Sequence, residues 1–161
     1  MKKIMFLLLL SVASLYAQSV SFTEGKYVEA LDLYTNRDGN VSYDENQTVI
    51  AYEDGKRIVK VNNIVNVYDK KDELLTSIDL LEKPDVGLYF SLTKALFQKD
   101  FESLKESFEI KEQKEKVYLF TPKGDVEKII KNIELFLKED AVVSSFVLSF
   151  TNGDKIKIEA K

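Results

Sequence analysis

Leu88 to Phe108, LYFSLTKALFQKDFESLKESF, is the stretch whose reading decides the fold. Leu88, Leu92, Ala95 and Leu96 recur at i, i+4, i+7 and i+8, the spacing of an apolar stripe on one helix face. Phe101, Leu104 and Phe108 recur at i, i+3 and i+7 and form a second stripe. Asp100 stands between them as an N-cap. The spacing predicts two short helices. The flanking sequence is β-like on both sides, so the helices' apolar faces need a sheet to receive them.

Upstream, Tyr27 to Leu80 reads as a meander. YVEALDLYT alternates as a strand, with Tyr27, Leu31 and Leu33 on one face and Val28, Ala30 and Tyr34 on the other. Arg37-Asp38-Gly39-Asn40 reads as a turn in which Gly39 is free to take positive φ. TVIAY, RIVKV, IVNVYD and LLTSIDL follow as strands, with turn signals at 53–56, 62–63 and 70–73. Lys83-Pro84-Asp85 closes the meander.

Downstream, FEIKEQ and KVYLFT make a hairpin-like pair. VEKIIKNIELFLKED fits a helix through Ile129, Ile130, Ile133, Phe136 and Leu137, or a strand through Ile133, Leu135 and Leu137. A strand from about Asn132 is favoured, because AVVSSFVLSF and KIKIEA continue a hairpin series around the Asn152-Gly153-Asp154 turn. There is no repeat, low-complexity run or linker. The expectation is a single α+β domain, mainly β: a curved antiparallel sheet with two short helices over it.

The chain has 161 residues, enough for a real core. Met1-Lys2-Lys3, then IMFLLLLSVASL, then Tyr16-Ala17-Gln18 has the basic, apolar and small-residue parts of a signal peptide over residues 1–17, cleaved near Ala17. The apolar run is short for a bilayer span. Subtracting Lys2 and Lys3 from the 23 basic groups leaves 21 against 27 acidic ones, a net charge of −6 for residues 18–161. An acidic exported domain without a basic block is a poor nucleic-acid binder and adheres weakly to anionic lipid heads. Neither Cys nor His is present. Disulfides, the usual nucleophilic triads and the commonest metal ligand are therefore absent. No cofactor and no metal are expected, and a hydrolase would need an unusual site.

The acidic pairs Asp44-Glu45, Glu53-Asp54, Asp72-Glu73 and Glu139-Asp140 sit in or beside predicted turns and read as solvated charges. Asn36, Asp38 and Asn40 mimic a calcium loop, but Gly39 comes too early and no Glu closes it. No nucleotide or nucleophile-elbow motif occurs, and no residue nominates itself as catalytic. Asn46-Gln47-Thr48 is an N-x-[ST] acceptor pattern, with Asp44 two residues before Asn46 as in periplasmic glycosylation acceptors. What remains is apolar surface. Ten Phe and eight Tyr are generous for this length, and several strands offer apolar groups on both faces. Either the core closes over all of it, or a greasy concavity is left.

Several segments, in order, resemble the periplasmic outer-membrane lipoprotein carriers, the LolA-like family. Gly39-Asn40-Val41-Ser42-Tyr43 is similar to that family's second strand. TVIAYEDGKRIVKVNNIVNVYDKKDEL resembles its run of short strands, and LTKALFQKDFESLKESFEI its helical lid and the strand after it. Tyr118-Leu119-Phe120-Thr121-Pro122-Lys123 and the hairpin from Phe146 to Ile156 resemble its later strands. The resemblance covers most of residues 18–161. It implies an incomplete β-barrel with a helical lid over a cavity for acyl chains. It also implies a periplasmic, non-enzymatic, monomeric carrier that shuttles lipoproteins or another acylated lipid from inner to outer membrane. An inner-membrane releasing complex and an outer-membrane acceptor would be its partners, without stable membrane insertion. Two features depart from the family. Only Ser19 to Lys26 precedes the first strand, where the family has a helix. Asp44-Glu45-Asn46-Gln47-Thr48 replaces the segment that carries the family's gating arginine, and Arg57 lies in an unmatched motif.

On this reading Leu88, Leu92 and Leu96 of the lid face Leu31, Leu33, Val41 and Tyr43 of the sheet, and these seven are the candidate lipid-binding residues. Leu92→Glu is then expected to abolish lipid uptake without unfolding the chain. The alternative is a periplasmic protein-binding adaptor that uses a sheet edge or an apolar patch.

Overall fold

The computed structural model describes residues 18–161, so the expected signal peptide at 1–17 lies outside the described residues. The strands are β1 (Gln18–Val28), β2 (Leu33–Tyr43), β3 (Gln47–Tyr52), β4 (Arg57–Val61), β5 (Ile64–Tyr68) and β6 (Leu74–Asp79). Helix α1 (Pro84–Gln98) follows, then β7 (Phe108–Lys114), β8 (Val117–Pro122), β9 (Ile130–Leu137), β10 (Val143–Phe150) and β11 (Lys155–Ala160). All belong to one 11-stranded antiparallel sheet in the order β6-β5-β4-β3-β2-β1-β11-β10-β9-β8-β7. The two ends of the chain's sheet meet in the middle, where β1 pairs with β11. Strands β6 and β7 are left as edges, so the barrel is open, and α1 lies over its concave face.

The first expected helix is present and longer than its stripe. Pro84 sits in its first turn, where a missing N–H costs nothing. Leu92, Ala95 and Leu96 are buried. Phe97 packs edge-on against Phe146 of β10 at 5.1 Å between ring centroids. The helix ends where Lys99 takes φ 53° and caps back onto the carbonyls of Ala95 and Leu96.

The second expected helix is a single 3-10 turn, Glu102–Leu104. Asp100 does accept a hydrogen bond from the Ser103 N–H, but the chain must reach β7 at Phe108, opposite Pro122. A segment that short does not support a nucleated helix. The i, i+3 spacing of Phe101 and Leu104 fits a 3-10 turn equally well, and both Phe101 and Phe108 pack edge-on against Phe120.

Residues 27–35 also differ from the expectation. They are not one strand. The chain reverses at a 3-10 turn, Glu29–Leu31, with Asp32 at φ 45°. Asp tolerates the left-handed conformation without a glycine signal. Strands β1 and β2 then pair along their whole length, from Gln18 opposite Tyr43 to Val28 opposite Leu33. Arg37–Asn40, read as a turn, is the middle of β2. Gly39 keeps an ordinary strand backbone. Its role is space, since a Cβ there would lie 3.0 Å from Phe22 Cζ and from the Ala51 carbonyl. Within 126–140 the end of a 3-10 turn, Gly124–Lys128, is followed by strand β9, with Ile133 and Leu135 fully buried. Among the described residues, no helix is long and apolar enough to cross a membrane.

Candidate functional site

The concave face is filled unevenly. Around β7 to β10, Phe101, Phe108, Phe120 and Phe146 close the space with α1. Strands β3 to β6 contain no phenylalanine. Their inward side chains are mainly short and aliphatic. There the sheet and α1 leave a cavity of about 580 Å³, open on one side. Its sheet wall is Ile50, Ile58, Val65, Val67 and Ile78. Val86, Tyr89 and Phe90 of α1 form the roof, and Ile129, Phe150 and Ile156 the opposite wall. This volume lies in the range of small-molecule sites, roughly 300–1,000 Å³.

One polar cluster is built into this wall. Strand register sets Glu24 of β1 opposite Arg37 of β2. The Arg37 Nη2 donates to Glu24 Oε1 at 2.9 Å. The Tyr52 and Tyr89 hydroxyls each donate to Glu24 Oε2 at 3.2 Å. Glu24 is only 6% exposed, so these three donors replace the water it has lost. The Arg37 guanidinium also lies 4.0 Å over the Tyr52 ring. Gly39, directly opposite Tyr52, makes room for this arrangement. Burial pushes the Tyr89 and Tyr52 hydroxyls up, and the Glu24 carboxylate adds to it, so both remain donors at neutral pH. Burial pulls Arg37 down, but its bond to Glu24 and the neighbouring Tyr52 and Asp54 more than offset this, and it stays cationic. Tyr89 is the only member on α1, so its bond ties the roof to the sheet.

The seven residues expected to line a lipid site lie elsewhere. Leu31 and Leu33 are at the exposed tip of the β1–β2 hairpin, 70% and 48% exposed. Val41 and Tyr43 lie under α1, where the space has shrunk to about 10 Å³, no more than one water. Leu92 and Leu96 are core residues, and Leu88 is half-buried at its edge. None of the seven bounds the cavity. The helix residues that do are Val86, Tyr89 and Phe90, which recur at i, i+3 and i+4 and so form a second stripe on α1. Glu24 and Arg37 gave no such signal. Lys26 and Lys128 also border the cavity, with Asp85, Thr151 and Asn152. Among the described residues, no three His, Cys, Asp or Glu groups converge as a metal set.

No family model matches the sequence, and no curated protein does. Similar solved structures include lipoprotein LppX of Mycobacterium tuberculosis, at 14% identity and TM-score 0.49, covering 91% of this chain and 86% of that one. A DUF1329 family protein of Desulfovibrio piger is 9% identical at TM-score 0.41, covering 91% and 85%. A LolA superfamily protein of Nitrosomonas europaea is 8% identical at TM-score 0.40, covering 92% and 85%.

Proposed function

We propose that this chain is a carrier which shelters an acyl chain of a lipoprotein or other acylated lipid between α1 and strands β3 to β6. It would do so in the periplasm after removal of residues 1–17, moving its cargo between an inner-membrane donor and an outer-membrane acceptor. The observation that carries the reading is the apolar cavity that the chain's own side chains leave unfilled. Burial of each methylene contributes about 0.8 kcal/mol, so even one chain binds usefully. If a CH₂ occupies about the 30 Å³ of a liquid water, the cavity holds roughly one long chain rather than three.

Release through the cavity's open side is eased if α1 lifts from the sheet. The Tyr89–Glu24 bond is a polar link between roof and sheet, and breaking it leaves Glu24 with Arg37 and Tyr52.

The test is native mass spectrometry of protein purified from its own periplasm, beside Val67→Trp, which fills the cavity. The expected result is co-purified lipid on the wild type and its loss on the folded variant. Wild-type protein that is lipid-free and takes up neither fatty acid nor phospholipid overturns the reading. The adaptor alternative has its own support. Leu74 and Leu75 of edge strand β6 are 56% and 58% exposed.

A further inference from the structure

We infer, on the basis of the carrier reading, that the cavity selects an amphiphile with an anionic head group, a carboxylate or phosphate, held at Arg37 with Lys26 and Lys128. The cavity's chemistry is divided by strand. Every lining residue from β3 to β6 is uncharged, whereas every one from β1 and β2 is charged: Glu24, Lys26 and Arg37. A chain laid across β3 to β6 therefore brings its head group to β1 and β2.

Of the two residues that face each other there, the cation is the accessible one. The Arg37 side chain is 36% exposed and that of Glu24 only 7%. Both Glu24 oxygens are already engaged, by Arg37, Tyr52 and Tyr89. Arg37 has five N–H donors, and among the described residues its side chain makes one hydrogen bond, to Glu24. The stack on Tyr52 and the bond to Glu24 hold the guanidinium fixed, so little freedom is lost when it binds a second oxyanion. Lys26 lies two residues along β1 from Glu24, exposed, and has no ion-pair partner among the described residues. Lys128 comes from the facing wall, and among the described residues its only ion pair is an exposed one with Asp125. Asp85 is the other carboxylate at the cavity. Three cations thus stand against two carboxylates, one of them buried and occupied.

The test compares amphiphiles of one chain length on delipidated protein by titration calorimetry: dodecanoate, dodecyl phosphate and neutral monolauroylglycerol. The charged ligands should bind roughly tenfold to a hundredfold more tightly than the neutral one, as a charge-assisted hydrogen bond allows, and the margin should shrink with salt. The carboxylate and phosphate arms show which head group fits better. Arg37→Gln should bring the ratio of anionic to neutral affinity near one. That variant leaves Glu24 short of a partner, so Lys26→Gln/Lys128→Gln, at two exposed sites, serves as the second test and should lower the same ratio. Equal affinity for anionic and neutral ligands overturns the head-group inference and leaves the carrier reading standing. Failure of all three ligands to bind removes both.

Discussion

At the scale of single residues, the decisive group is Glu24, and nothing in SVSFTEGKY marks it. Its alternation with Val20 and Phe22 was available, but a charged side chain at an inward position reads as the end of a buried face. Only the β1–β2 register brings Arg37 to it, and that register depends on a turn at Asp32 which lacks the usual Gly or Pro. The cluster has a consequence in alkali. Burial pushes the Tyr89 and Tyr52 hydroxyls well up from their ordinary value, with the Glu24 carboxylate adding to it. The fold therefore binds these phenolic protons more tightly than the unfolded chain does. A raised folded pKa gives stability that is complete below the unfolded value, ~10 for tyrosine, and is lost as pH climbs toward the raised values. Urea midpoints should be flat with respect to these groups up to about pH 9 and fall above about pH 10. In Tyr52→Phe/Tyr89→Phe the alkaline fall should be shallower. Tyr43, which burial also pushes up, leaves a remainder. An identical alkaline slope in the double variant would show that the cluster does not hold the protons.

At the scale of elements, periodicity located α1, β3 to β8, β10 and β11, because each is bounded by its own turn signals, whereas β9 is favoured over a helix only by the hairpin series that follows it. It failed where one pattern served two structures. Phe101, Leu104 and Phe108 have helical spacing but belong to a 3-10 turn and a strand. The stripe of Leu88, Leu92 and Leu96 is correctly helical, yet a stripe says that a face is covered, not whether side chains or a ligand cover it. That distinction changes a prediction. Leu92 is 1% exposed within the core, so Leu92→Glu places a carboxylate with no partner in a packed interior. The expectation of lost lipid uptake in a folded protein is therefore replaced by global unfolding. Even the milder Leu92→Ala should cost about 2–5 kcal/mol through the cavity it leaves, measured as a drop in urea midpoint. A soluble, cooperatively folding Leu92→Glu protein would show that α1 is a loose lid and not part of the core.

At the scale of the whole molecule, the placement of phenylalanine explains where the free volume lies. Large rings fill the β7–β10 half, while β3 to β6 carry mainly Ile and Val on the concave face, so one stretch of a continuous sheet stays hollow. The aromatic count announced surplus apolar surface. Its position depended on which strands become neighbours, and that follows from β1 pairing with β11 across the full chain. The same topology leaves two unequal edges. Strand β7 carries Glu109, Lys111, Glu112 and Lys114, charges that discourage strand pairing, while β6 opens with exposed Leu74 and Leu75 and contains neither Lys nor Pro. The carrier and adaptor readings therefore rest on different residues of the sheet and can be separated by two substitutions. Leu75→Lys blunts the β6 edge at a residue outside the cavity lining and, as a surface change, should shift stability by no more than about 0.5 kcal/mol. Val67→Trp fills the cavity and leaves the edge untouched. A carrier keeps its co-purified lipid in Leu75→Lys and loses it in Val67→Trp, as read by native mass spectrometry. An adaptor gives the reverse pattern in pull-downs, with the partner lost on Leu75→Lys and retained on Val67→Trp.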